Sequence, residues 1–183
     1  MNIFYLDHDP KIASQFHENS HATKMILESI QMLSTAHRVL DGVKIIGKTK
    51  TGRSQQQWIH PDKASDEILY KGTHVNHPSA SWVRHSAAHY DWLYNLVVHL
   101  NEEAKFRYGH DRDHMSVQKL GKLLKTPPAA IAHITDFVPP PQCMPDHCKL
   151  PDTVLAYRNF YNIEKSKFAT WKVREVPFWY APV

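Results

Sequence analysis

A chain of 183 residues, 42% hydrophobic and 22% charged, is long enough to bury a real core and too apolar to be disordered. No apolar run approaches a membrane span, the first residues do not form a secretory signal, and two cysteines are too few for a disulfide scaffold. The expected setting is therefore a single domain over 1–183 in a reducing cytoplasm, with no membrane partner. A formal charge of +4 and fourteen histidines suit a phosphate-bearing partner such as DNA or a nucleotide, without requiring one.

Met1 to Leu6 is a short apolar run, either a strand or a buried arm. Asp9 as N-cap and Pro10 at the first helical position predict a short helix to about His17. Asn19 and Ser20 can cap a second, longer helix that runs to about Leu40 and stops at Gly42. Met25, Ile26, Ile30, Leu33 and Leu40 make its main apolar side, and Leu27, Met32, Ala36 and Val39 carry apolarity further round. What remains polar is a narrow line of His21, Lys24, Glu28, Gln31, Thr35 and Arg38, stacked along one edge. A surface helix has a broader polar face, so this edge reads as the lining of a cleft. A solvated stripe held by Lys24–Glu28 pairing fits the same pattern.

Residues 41–73 read as a long basic loop. They hold Gly42, Gly47, Gly52 and Gly72, the cations Lys44, Lys48, Lys50 and Arg53, and then three glutamines before Trp58. A short strand at Val43 to Ile46 and a helical turn near Asp62 to Leu69 are possible within it. Cations spaced by glycine and followed by an aromatic suit a DNA backbone and a stacked base; a mobile solvated loop is the plainer alternative.

The stretch from His74 to Gly109 organises the chain. Pro78 keeps His77 out of the helical region, Ser79 and Ser81 are natural N-caps, and Gly109 is a natural stop. Between them, Leu93, Leu96, Val97, Leu100 and Ala104 form one apolar face of a single long helix, continued by Ser86, His89, Glu103 and Arg107 at its polar ends. Arg84 in the first turn opposes the helix dipole, which makes sense if an external anion sits there. An ordinary core helix with solvated ends reads the same way. A short helix from Ser116 to Lys125 follows, ended by Pro127-Pro128. A proline-rich strap spans 137–151, and Asp152 caps a last helix carrying Tyr157, Tyr161 and Phe168. The fold expected is mainly α: one compact domain of about five helices with long irregular loops and two long central helices packed together.

His17 and His21, His85 and His89, and His110 and His114 are each four apart, as zinc ligands on a helix can be. None sits in an H-E-x-x-H frame, and Cys143 and Cys148 lack a second pair, so neither a metal nor any cofactor is expected. A P-loop, a dinucleotide fingerprint and a G-x-S-x-G elbow are absent. The acid–base candidates are stronger. Glu28 could stabilise a cationic sugar-like transition state or move a proton. Lys24 could form an imine. An N-terminal amine is another nucleophile, since α-amines titrate at about 7.7 to 8.0. A surface ion pair is the simpler account of each.

Taken together, these pieces resemble the pyrimidine dimer DNA glycosylase family of phage and bacterial repair enzymes. The likeness rests on an N-terminal arm and a helix with Lys24 and Glu28 that runs into V-L-D-G (Val39 to Gly42). It continues in a glycine- and lysine-bearing loop leading to Y-K-G-T-H-V-N-H-P (Tyr70 to Pro78). A long helix with Glu103 and R-Y-G (Arg107 to Gly109) and the aromatic end at Trp179-Tyr180 complete it. It covers about half the chain, and N-H-P is its sharpest element. The resemblance implies a compact helical fold. It also implies a bifunctional glycosylase, in which an amine attacks sugar C1′, releases the base and cleaves the strand through an imine. Glu28 would be the essential carboxylate, with Lys24 and Arg38 as its basic neighbours. The chain departs from the family at Asn2, where a small residue exposed by loss of Met1 would supply the amine; with Asn2, Met1 is expected to stay.

The reading is a DNA- or nucleotide-directed enzyme that cleaves an N-glycosidic bond of a damaged or modified base. Glu28 is the acid/base or charge stabiliser, assisted by His21 and Lys24. Asn76, His77, Arg84, Arg38 and Arg107 hold phosphate or a flipped nucleotide, with Trp82, Trp58 and Tyr90 for stacking. Lys44, Lys48, Lys50 and Arg53 grip the DNA backbone. An enzyme on free nucleotides and a non-catalytic nucleic-acid-binding protein are the alternatives.

Overall fold

The structure is a computed structural model that describes residues 1–49 and 51–182, so the Lys50 expectation lies outside the described residues. Among the described residues seven α-helices run in the order α1 Pro10–Phe16, α2 Asn19–Asp41, α3 Lys63–Ile68, α4 Pro78–Val83, α5 Ala87–Tyr108, α6 Met115–Leu124 and α7 Thr153–Phe160. Between α2 and α3 lies one antiparallel hairpin, β1 Val43–Lys48 and β2 Ser54–Ile59. No described helix is long and apolar enough to cross a membrane.

The two long helices α2 and α5 pack on each other, as their apolar faces require. Met25, Ile26, Ile30 and Leu33 of α2 and Leu93, Leu96, Val97 and Leu100 of α5 are buried in the one core cluster. Helix α1 lies against α5, while α4 and α6 lie against α2. The N-terminal run is a buried arm rather than a strand: Ile3, Phe4, Tyr5 and Leu6 all sit in the core. The last helix passes into a single π turn, Tyr161–Lys165.

Three local expectations change. The helix expected to run unbroken from Ser79 to Gly109 is two helices, α4 and α5. Ser86 breaks it, adopting extended backbone (φ −153°, ψ 159°) while its Oγ accepts from the His89 N–H at 3.3 Å. A serine side chain offers the backbone this alternative to a helical bond. Arg84 consequently caps the C-terminal end of α4 instead of opening α5. At that end the dipole favours a cation, so the dipole argument for an anion there does not hold. Gly109 ends α5 as expected, in the left-handed region at φ 65°.

Helix α2 is capped by Glu18, whose carboxylate takes the N–H groups of Ser20 at 2.9 Å and His21 at 2.6 Å, not by Asn19 or Ser20. Within the expected loop over 41–73 the possible strand at Val43 to Ile46 and helical turn near Asp62 to Leu69 are present as β1 and α3, and a second strand, β2, makes the first a hairpin. Ile45 pairs with Gln57 and Ile46 with Gln56, so the glutamine run is one of the two strands. Gly52 supplies the positive φ, 80°, that the turn needs. The hairpin is mostly exposed, and an isolated hairpin is only marginally stable. Arg38 anchors its base: Nη1 donates to Trp58 O at 2.9 Å and to Asp66 Oδ1 at 2.6 Å. The proline strap is extended except for a 3-10 turn at Asp146–Cys148, and it is tied down by Trp82 Nε1 donating to Val138 O and by Tyr157 Oη lying against Pro141 O, each at 2.8 Å.

Candidate functional site

Much of the polar edge of α2 is covered by other elements, although Lys24 stays exposed. Phe4 stacks on His21 with ring centroids 4.2 Å apart. The Met1 amine reaches Glu28, with N to Oε2 at 3.7 Å. Thr35 Oγ1 accepts from Thr73 N at 3.2 Å. Arg38 is enclosed by Tyr70 O, Trp58 O, Leu69 O and Asp66.

The Met1–Glu28 contact is the chemically distinctive one. The side chain of Met1 is 3% exposed and that of Glu28 is 19% exposed, so the methionine is buried as an anchor while the carboxylate keeps an opening. Glu28 Oε1 also lies 3.4 Å from Lys24 Nζ. Asn2 fixes the amine's direction: its Nδ2 donates to Cys143 O at 2.9 Å, and its Oδ1 accepts from Tyr157 Oη at 2.7 Å. His77 belongs to the same group. Burial, followed by the charges of the Met1 amine and His74, pushes its imidazole below the usual range, while Glu28 acts in the opposite sense.

His77 is held as sequence reasoning predicts. It precedes Pro78 and has the extended backbone expected there (φ −67°, ψ 136°), but it is itself the cap of α4 in place of Ser79 or Ser81, its Nδ1 accepting from Ser79 N at 3.2 Å. With Asn76 and His74 it lines a hollow of about 630 Å³ whose other wall is Gln55, Gln56 and Trp58 of β2. His74 sits at φ 48°, an uncommon conformation for a non-glycine residue, and it sets the turn that brings His77 N within 2.8 Å of His74 O. Trp58 also takes Lys44 over its ring at 5.8 Å. Lys44, Lys48 and Arg53 are exposed on the hairpin.

Other expected site residues lie elsewhere. His21 is two turns from Glu28, roughly 10 Å along the axis. Its Nδ1 is 2.7 Å from Tyr161 Oη, and burial lowers its pKa to about 3, so it is a neutral packing group. Arg107 is wholly buried, donating to Glu103 at 2.7 Å, Asn19 at 3.2 Å and Gln15 O at 2.9 Å. Tyr90 is also in the core, with its hydroxyl on Leu124 O at 3.0 Å. Arg38 has no donor left for a phosphate. Trp82 stacks on His89 at 4.5 Å and borders a different hollow of about 490 Å³, beneath the strap. Arg84 donates to Ser81 Oγ at 3.0 Å, and its Nη1 is buried with no partner.

A hollow of about 760 Å³ lies beside His110 to Met115 and touches none of the expected site residues. None of the three histidine pairs is arranged for metal. His89 uses Nδ1 on Trp82 O and Nε2 on Val138 N, His114 caps α6 through Nδ1, and His17 Nδ1 bonds Ala13 O. Sequence reasoning missed the roles of Asn2, His74 and Tyr157. Their partners are between 16 and 155 positions away or set by one backbone angle, and local pattern carries no sign of either.

Comparison of the chain with protein-family models, with curated proteins and with solved structures gave no match in any of the three.

Proposed function

We propose that this protein acts on DNA by cleaving an N-glycosidic bond, with the α-amine of Met1 as the nucleophile and Glu28 as its carboxylate. The observation that carries this reading is the 3.7 Å approach of the Met1 amine to Glu28 Oε2, with His77 beside them. The buried Met1 side chain and the hydrogen bonds at both ends of the Asn2 amide support a fixed direction for the amine.

The chemistry follows from those groups. The neutral amine attacks sugar C1′, and the C1′–N bond breaks with its electron pair leaving on the base, which takes up a proton. Glu28 stabilises the positive charge that builds on the sugar and accepts a proton from the attacking nitrogen. The proton held by Glu28 passes to the ring oxygen as the C1′–O4′ bond opens to a protonated imine, and loss of the C2′ proton then expels the 3′ phosphate. The hollow between Trp58 and His74 to His77 suits an extruded nucleotide, with Trp58 as the stacking surface and Asn76 for base-edge hydrogen bonds. Lys44, Lys48 and Arg53 suit backbone phosphates. Arg84, without an acidic partner, adds positive charge to α4.

Borohydride trapping tests the reading. Protein incubated with ultraviolet-damaged duplex and, separately, with abasic duplex should give a covalent adduct that peptide mapping assigns to Met1. A Gly-Ser extension ahead of Met1 should abolish it. Absence of any adduct with either duplex would remove the imine mechanism.

A further inference from the structure

We propose that His37, Asp41 and His60 bind one first-row divalent cation of the zinc, cobalt or nickel class, and that the ion pins the hairpin to the end of α2. One donor atom from each residue lies within 4.8 Å of the other two. His37 and Asp41 are one turn apart on the last turns of α2, so both project from one face. His60 follows β2 directly and approaches from the hairpin side. Two imidazoles and one carboxylate with a fourth position open to water is a common arrangement for such ions, and the nitrogen donors disfavour calcium and magnesium.

The supporting contacts are those a metal site needs. Both carboxylate oxygens of Asp41 are already oriented, accepting from Ala129 N at 2.8 Å and Ala130 N at 2.9 Å. The Tyr90 hydroxyl, 2.9 Å from His37 Nε2, holds that ring, and His60 Nδ1 faces the backbone of Asp62 at 3.2 Å. Outer contacts of this kind fix ligand orientation in metal sites generally. His60 Nε2 then faces Asp41 Oδ2 across 4.0 Å. That gap is too long for a hydrogen bond. An ion with bonds of about 2.0 to 2.1 Å bridges it after a small inward movement. The site is sheltered: His37 is buried, and the side chains of His60 and Asp41 are 11% and 14% exposed. A second trio, His147, Cys148 and Glu164, also comes within 4.8 Å, but His147 and Glu164 are exposed and already bonded to one another at 2.8 Å.

The test uses the full chain, stripped with chelator and titrated with Co²⁺ or Zn²⁺ alone. Calorimetry should give one equivalent bound, Co²⁺ should show visible ligand-field absorption, and saturating Zn²⁺ should raise the melting temperature. His60→Asn and Asp41→Asn should each weaken binding at least about tenfold and remove the thermal shift, with unchanged circular dichroism, since loss even of outer-shell contacts costs this much. His147→Asn should bind as the wild type does. The proposal is overturned if neither ion binds, if His60→Asn and Asp41→Asn leave binding intact, or if only His147→Asn abolishes it.

Discussion

The Met1 α-amine and the Glu28 carboxylate face each other at 3.7 Å, and Lys24 Nζ closes on the other carboxylate oxygen at 3.4 Å. The pairing brings a primary amine and a proton acceptor together. The Lys24 contact contributes little to stability, because Lys24 is 65% exposed and exposed pairs are worth about 0 to 1 kcal/mol, whereas the Met1 side chain is only 3% exposed.

Glu28→Gln keeps the shape of the side chain and removes its charge. Base release from damaged duplex should fall by about 10²- to 10⁴-fold, the range over which a positioned acid or base acts. Folding free energy should fall by about 1 to 2 kcal/mol, because the Met1 amine and Lys24 lose a partly buried charged partner. Single-turnover base release and urea unfolding read the two quantities separately. Full activity in this variant would leave Glu28 without a catalytic role.

The exposed cations of the hairpin predict a salt effect. Replacing Lys44, Lys48 and Arg53 together with alanine should weaken DNA binding and make the slope of log affinity against log salt shallower by up to about 2.7, at about 0.9 per phosphate contact. Fluorescence anisotropy over a salt series measures it. An unchanged slope would show that the hairpin does not touch the backbone and would favour a small nucleotide as substrate.

Glu103 ties the C-terminal segment to α5. Its Oε1 accepts from Arg107 Nε at 2.7 Å and Arg174 Nε at 2.9 Å, and its Oε2 accepts from Arg174 Nη2 at 2.8 Å. Glu103→Ala leaves the Arg107 guanidinium buried and unpaired, a loss of about 3 to 5 kcal/mol. Arg174→Ala leaves Glu103 paired and should cost about 1 kcal/mol or less, since Arg174 is partly exposed. Burial pushes the Glu103 carboxyl up, but the hydrogen bonds from Arg174 and Arg107 outweigh it and hold it below its ordinary value. The stability this gives is present above the unfolded-state value and is lost as pH falls through the folded one. Urea midpoints of both variants and of the wild type check each point.

Buried histidines give a second pH dependence, at higher pH. Burial lowers the pKa of both His17 and His21 from 6.5 to about 3. Below pH 6.5 the unfolded chain takes up protons that the folded chain refuses, so stability falls as pH drops from 6.5 towards 3. Each histidine adds a slope of up to about 1.4 kcal/mol per pH unit. His21→Phe, which keeps a ring against Phe4, should remove one such contribution. Unfolding measured between pH 7 and 4 should show a shallower decline in the variant.

How much was legible in the sequence depends on how local each signal is. The periodicity of α2 and α5, the stops at Gly42 and Gly109, and the exclusion of His77 from the helix by Pro78 all act within a turn or two of the chain. They fixed the mainly helical class, the packing of the two long helices and the corner at Asn76-His77. The break at Ser86 escaped notice because Ser79, Ser81 and Ser86 are chemically equal as caps. Ala87 N bonding Ala132 O at 2.9 Å, a contact from a distant loop, helps decide among them.

The site divides in the same way. Charge and spacing alone made Glu28 with Lys24, and His77 with Asn76, candidates for the site. Which cations were free to meet a ligand depended on burial: Arg107 and Arg38 spend their donors inside the protein, whereas Lys44, Lys48 and Arg53 do not. The approach of Met1 to Glu28, the clamp on Asn2 from Tyr157, and the meeting of His60 with the end of α2 join residues far apart in the chain. Helical or strand periodicity reports which face a residue occupies, not which distant residue will cover it. Only the packing of the arm, the hairpin and the strap against α2 determined that.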